Sequence, residues 1–269
     1  MLKINYDTSA PYPLSCGLIF LNFSTSHFGC GQHCPFCIYS MLDWTEYWCP
    51  TKEDVQDYLK LFPKGSTISI SGGGDPLFQI TKNKEKLAQL ISWIKEEGYY
   101  IDLVTSYWML IPKHYDVLKD IDSWSFSIET LNPQLKEIVT FLRQDDKDVK
   151  ITKLVNPTGH IDWKKLEQWV DFYHQKRVRL ILRENFSFSL SLTDQKQVAE
   201  WCAHKGLIGL KFSPRNLTHL VLINDEVWDS NEWYNKMEQL AIQRTDFQNQ
   251  WKKTFDFNQI RVKIKNLTN

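Results

Sequence analysis

Hydrophobic positions along this chain alternate between two spacings: short continuous runs, and runs that recur every three to four residues. Residues 17–22 (GLIFLN) predict a buried strand, followed by a long loop rich in cysteine. Residues 51–62 predict a helix with Val55, Tyr58, Leu59 and Phe62 on one face, opened by a Thr51/Asp54 capping pair. Residues 67–71 predict a second strand, stopped by three glycines. From about Thr81, Leu87, Leu90, Ile91 and Ile94 return at helical spacing. Residues 100–105 predict the third strand, and Pro112 suits the first turn of a helix, where no donor is lost.

The alternation continues through residues 124–128, a helix opened by Asn132-Pro133, residues 149–155, and a helix carrying Leu166, Trp169, Val170 and Tyr173. Residues 178–182 predict the sixth strand, and Thr193 is placed as the cap of a helix holding Val198, Trp201 and Cys202. Six strand–helix units in succession predict a parallel sheet with helical crossovers, open or rolled into part of a barrel. Beyond about residue 205 the order breaks down. Two short apolar runs, 208–212 and 219–223, lead into an aromatic, charged tail from Trp228.

Length and charge narrow the function classes. The 269 residues suit one large domain, and Lys+Arg and Asp+Glu both number 32, so no global field draws the chain to nucleic acid or an anionic membrane. No apolar run is long enough to span a bilayer, and the first residues lack a basic-then-apolar leader pattern. A cytoplasmic protein is expected. The six cysteines are Cys16, Cys30, Cys34, Cys37, Cys49 and Cys202, and three of them crowd into one short stretch. In a reducing compartment such a cluster reads as metal-binding or catalytic.

Polar residues at the carboxyl ends of the expected strands would share one rim, where parallel α/β sheets collect ligand chemistry. They are the Cys30–Cys37 loop, the turn Ser71-Gly72-Gly73-Gly74-Asp75-Pro76, and Ser106, Glu129, Asn156 and Asn185. Thiolates at Cys30, Cys34 and Cys37 suit one soft metal centre. They match three irons of a [4Fe–4S] cube, leaving the fourth for a non-protein ligand. On spacing alone a structural zinc site competes, with a fourth ligand from His27, Cys16 or Cys49.

The run Cys30/Cys34/Phe36/Cys37 resembles the Cys-x3-Cys-x-aromatic-Cys signature of the radical S-adenosylmethionine (SAM) superfamily. Further on, Gly73-Gly74-Asp75-Pro76 is similar to that superfamily's Gly-Gly-Glu-Pro motif, with Asp75 where Glu is usual. The resemblance implies a partial (β/α)6 TIM-like barrel over residues 15–205, preceded by a lead-in at 1–14 and followed by an extension at 206–269 that packs on or caps the barrel. It implies that Cys30, Cys34 and Cys37 hold a [4Fe–4S] cluster whose open iron is chelated by SAM. Phe36 would face the adenine, and Gly73, Gly74 and Asp75 the methionine amino group.

Ser106, Glu129 and Asn185 are weaker candidates for contacts to SAM. Glu129 has a plainer alternative as a cap for the helix near Asn132, and Asn156, before Pro157, reads as a turn former. The implied activity is reductive cleavage of SAM to a 5′-deoxyadenosyl radical that abstracts hydrogen from a substrate, with a flavodoxin- or ferredoxin-type electron donor and sensitivity to oxygen. The substrate is expected to be a small molecule or a peptide. An activase that installs a radical on a partner protein is the alternative, and a non-enzymatic zinc or iron–sulfur module the remote one. The leftover Cys16, Cys49 and Cys202 are too scattered for a second cluster.

Overall fold

The computed structural model describes residues 2–5, 16–23, 49–71, 74–78, 80–128, 130–156, 160–176, 178–183, 190–205, 210–213 and 220–229. Their strands are β1 (Lys3–Asn5), β2 (Cys16–Phe20), β3 (Thr67–Ser71), β4 (Tyr100–Thr105), β5 (Ser123–Ser127), β6 (Asp148–Leu154), β7 (Arg179–Arg183), β8 (Leu210–Ser213), β9 (Leu220–Ile223) and β10 (Glu226–Asp229). The helices are α1 (Lys52–Leu59), α2 (Ile80–Glu96), α3 (Tyr115–Leu118), α4 (Pro133–Gln144), α5 (Trp163–Lys176) and α6 (Leu192–His204).

All ten strands join one sheet in the order β1-β10-β9-β2-β3-β4-β5-β6-β7-β8. From β2 to β8 the neighbours are parallel and follow chain order without reversal. Each crossover therefore steps the same way, and right-handed crossovers that never reverse put their helices on one face. That is the topology of a barrel wall, not of a doubly wound sheet. Among the described residues the wall is open, because β8 and β1 each pair with a single neighbour there. The expected α/β partial barrel is thus present. Residues 220–229 extend its wall beside β2 rather than lie across it.

The strand alternation sorts the two faces. Ile68, Ile70, Leu103, Trp124, Phe126 and Ile151 are all fully buried and join the helices' apolar stripes in one core. Their register partners share that side. The intervening positions, Ser69, Asp102, Ser125 and Lys150, stand on the opposite face, which we call the inner face. Gly17 marks the tightest contact on the helix side: a Cβ there would lie 2.7 Å from the Tyr58 hydroxyl and 2.8 Å from Cζ of Phe62. The Tyr58 hydroxyl sits between strands, accepting from the Leu18 amide at 2.9 Å and donating to the Leu220 carbonyl at 2.6 Å.

Local signals explain most helix boundaries. Thr51 and Asp54 form a complete capping box at α1. Asn132 caps α4 by accepting from the Gln134 amide, with Pro133 next. Gly98, at a φ of 80°, takes the left-handed turn that ends α2, donating its amide to the Lys95 carbonyl. Two expectations need correction. Ser191, not Thr193, caps α6, because its hydroxyl accepts from the Asp194 amide. Pro112 opens only a 3-10 turn before the single-turn α3. The strand–helix alternation does end near 205 among the described residues, yet the runs beyond it are strands β8, β9 and β10 of the same sheet.

Candidate active site

Three segments converge at the carboxyl end of β2. The chain leaves β2 through Leu21, whose amide donates to the Ser71 carbonyl at the end of β3. The Leu21 carbonyl in turn accepts from the Gly74 amide at 3.4 Å. The glycine turn is therefore bonded to the strand that leads into the cysteine loop. That loop returns at Cys49, whose amide donates to the Asn224 side chain at 3.1 Å. Asn224 follows β9, which runs parallel to β2, so Cys49 lies at the same end of the sheet as the glycine turn. A φ of 52° at Asn224 fits the tight β9–β10 connection, a conformation asparagine tolerates better than most residues.

Asp75 locks the turn to the neighbouring strand end. Its carboxylate accepts four hydrogen bonds: from the Leu77 amide at 3.0 Å, the Thr105 hydroxyl at 2.7 Å, the Ser106 amide at 2.6 Å and the Ser106 hydroxyl at 2.8 Å. Burial pushes the carboxyl above the ordinary aspartate value, and those four donors pull against it. Asp75 thus faces into the protein as a brace between the glycine turn and the end of β4. Ser106, a sequence candidate, donates both its amide and its hydroxyl proton to that brace and keeps only acceptor lone pairs.

The remaining candidates divide clearly. Gly74, Asp75 and Ser106 are brought together. Cys30, Cys34, Cys37, Phe36, Gly73, Glu129 and Asn185 lie outside the described residues. Asn156, read as a turn former, is fully buried just past β6. The other three cysteines stand apart: Cys16 opens β2 at the opposite end from the rim, Cys49 closes the loop, and Cys202 is buried on α6. Among the described residues no cluster of His, Cys, Asp and Glu could hold a metal ion.

Sequence reasoning missed a polar cluster on the inner face. Asp102, 4% exposed, accepts from Lys150 Nζ at 2.8 Å, from the Ser125 hydroxyl at 3.0 Å and from the Ser69 hydroxyl at 3.3 Å. The one available signal was the alternation within residues 67–71, 123–127 and 148–152, where serine, threonine, lysine or aspartate occupies every second position.

A wall of sequentially ordered parallel strands, with a glycine turn braced beside the strand that leads into the cysteine-bearing segment, makes a partial barrel with both sequence motifs at one rim. Residues 25–166 match the Radical SAM superfamily model, more than half of the chain, and the protein belongs to that superfamily. It is an enzyme of the radical SAM class, whose cofactors are a [4Fe–4S] cluster and SAM. No curated protein sequence matches the chain.

Among solved structures, the chain is similar to Streptococcus suis SuiB bound to the precursor peptide SuiA, with a TM-score of 0.54 and 15% identity over 76% of this chain and 49% of that one. SuiB bound to S-adenosylmethionine gives a TM-score of 0.52 at 15% identity, covering 76% and 48% of the two chains. The enzyme anSMEcpe with bound AdoMet and the Cp18Cys peptide gives 0.52 at 13% identity, covering 74% and 63%. The chain thus spans about half the length of SuiB. No described helix is long and apolar enough to cross a membrane.

Proposed function

We propose that the protein cleaves SAM reductively and uses the resulting radical to abstract hydrogen from a peptide or small-molecule substrate. Cys30, Cys34 and Cys37 hold the cluster on a loop whose two ends are fixed at one rim, by the Leu21–Ser71 and Cys49–Asn224 hydrogen bonds. Three thiolates leave one iron of a cube without a protein ligand, the donor set that a chelating cosubstrate requires. When bound, the reduced cluster supplies one electron that splits SAM into methionine and a 5′-deoxyadenosyl radical.

The chain's own residues orient the cosubstrate. Gly73 and Gly74 present backbone carbonyls to its ammonium, unobstructed by side chains. Asp75 fixes that turn through β4 instead of spending its carboxylate on the ligand. Phe36 packs on the adenine, while Ser106, Glu129 and Asn185 accept hydrogen bonds from the ammonium or the ribose. The inner face below the rim receives the substrate. An electron donor of flavodoxin or ferredoxin type supplies the reducing equivalent, and the working environment is a reducing cytoplasm. Because SuiB and anSMEcpe were crystallised with peptides, a peptide is the first substrate class to test.

The observation that carries this reading is the double tie of the glycine turn, to Leu21 at the root of the cysteine loop and through Asp75 to Ser106. The test is anaerobic reconstitution followed by SAM and dithionite. Cys30→Ala, Cys34→Ala and Cys37→Ala are each expected to lose the brown cluster absorbance and 5′-deoxyadenosine formation. Full SAM cleavage in any one of them would refute the assignment.

A further inference from the structure

The inner face of β3–β6 is unusual for a barrel wall. Interior positions of closed barrels carry mainly branched apolar side chains. Here Ser69 and Asp102 stand in one layer, Ser125 and Lys150, in register with each other, in the next, and Ser127 and Thr152, again in register, in the layer above toward the rim. A buried ion pair has no inherent stability advantage over apolar packing. Its presence on the face that looks into the barrel points to a ligand with matching chemistry.

The hydrogen bonding within the cluster shows what chemistry that is. Ser69 and Ser125 donate to Asp102, and Lys150 Nζ makes its contact to Asp102 Oδ1 at 2.8 Å. Asp102 is therefore saturated. The Lys150 side chain is 17% exposed, and among the described residues its ammonium has no second acceptor, although an ammonium carries three donors. To reach Asp102, Lys150 crosses the intervening strand β5, so its charge rests near the middle of the wall. The other carboxylate on this face, Asp148, pairs with Arg179 and cannot serve as that acceptor. Ser127 is exposed and Thr152 half-buried just above, each with a hydroxyl to donate. Among the described residues donors outnumber acceptors here, which suits a ligand that brings oxygen acceptors.

We propose that Lys150, steered by Asp102 and flanked by Ser127 and Thr152, recognises an anionic oxygen group at the far end of the substrate, a carboxylate or a phosphate. This rests on the radical SAM reading above, because it takes the inner face as the substrate's side. Lys150 is in register with Ser125 and, through it, with Val104, two residues below Ser106 at the rim, so the anchor sits roughly 7 Å beneath the rim at about 3.3 Å per residue. The substrate is accordingly elongated, with its anion held in the depth of the barrel and its reacting carbon at the rim. Fixing one end in this way restricts which carbon can meet the radical.

The test uses the reconstituted full-length chain with SAM bound and unreduced, so that the subsite for SAM's own carboxylate is filled. Calorimetric titration with succinate, and separately with inorganic phosphate, at constant ionic strength is expected to show saturable one-to-one binding of one of the two. Which one binds separates carboxylate from phosphate. Lys150→Met combined with Asp102→Asn removes both charges together and strands neither, and is expected to weaken that binding at least tenfold. Lys150→Arg, which keeps the charge, is expected to retain it. Failure of both anions to bind the wild type, or equal binding by the double variant, overturns the inference. Adding dithionite to the same wild-type sample reads SAM cleavage independently. Cleavage without anion binding sinks the anchor alone, whereas absent cleavage sinks the reading on which it rests.

Discussion

Replacing Asp75 with Ala isolates the brace at the glycine turn. The substitution removes the acceptor for four donors, two of them hydroxyls that can rotate toward other partners or water. The Leu77 and Ser106 amides cannot rotate, and they are left without their acceptor. A buried donor left unsatisfied costs about 1–3 kcal/mol. Relaxation of the turn recovers part of that loss, and the total is expected near 2–4 kcal/mol. In a chain of this size that lowers Tm by roughly 5–15 °C.

Burial raises the Asp75 carboxyl above its ordinary 3.8, so the native state holds its proton more tightly than the unfolded chain does. The wild type therefore loses stability from this group as pH rises through that window, and Asp75→Ala does not. The gap between the two is expected to narrow from acid toward neutral pH. The assay is thermal unfolding of the apo chain at several pH values, with calorimetric SAM binding by the reconstituted protein at 20 °C. SAM affinity is expected to fall at least tenfold while iron content stays unchanged. A variant with wild-type Tm and wild-type SAM affinity would show that the four hydrogen bonds do not position the turn.

Three further outcomes follow from particular contacts. Gly17→Ala pushes a methyl into Tyr58 and Phe62 and disturbs the hydroxyl bonded to Leu18 and Leu220, so a loss of about 2–4 kcal/mol is expected by urea unfolding, whereas a neutral change would show that Tyr58 moves freely. His114 is buried, and its Nε2 has no hydrogen-bond partner among the described residues. Burial first, then Lys113 and Lys84, holds it below its ordinary 6.5, so its share of stability is complete above pH 6.5 and is lost as pH falls below that value. His114→Leu should flatten the change in Tm between pH 7.5 and 5.5, and an unaltered slope would assign that slope to other groups. Replacing Cys16, Cys49 and Cys202 together by Ser should leave about four irons per chain in reconstituted protein, whereas a fall by half from about eight would reveal a second cluster.

The legibility of these features in the sequence follows from how local their causes are. Residues 67–71 and 100–105 match β3 and β4 to the residue, because a short apolar run bounded by turn signals carries its own limits. The Thr51/Asp54 box and the Asn132-Pro133 start were readable for the same reason. At α6 two hydroxyl residues stood close together, and only the backbone direction selected Ser191 over Thr193. β1 and β10 were invisible, being short strands of mixed polarity formed by pairing with partners more than 200 residues away or across a hairpin. Both cofactor motifs stood out in the sequence. The contacts of Asp75 did not, since Thr105 and Ser106 meet it only once β3 and β4 are side by side. The Asp102–Lys150 pair, 48 residues apart, was hidden likewise.

The placement of β9 beside β2 governs when the enzyme can be assembled during synthesis. Tyr58 donates to Leu220 across 162 residues, and Cys49 to Asn224 across 175. Until the ribosome has released that hairpin, β2 remains a bare edge with unpaired backbone groups, and the exit of the cysteine loop has no anchor. Contacts of such long range form late and slowly. A nascent chain stopped near residue 205 would expose the edge to pairing with other chains and promote aggregation. In a truncated product the Cys49 amide would lack its Asn224 acceptor, and the return of the cysteine loop would be untied from the sheet.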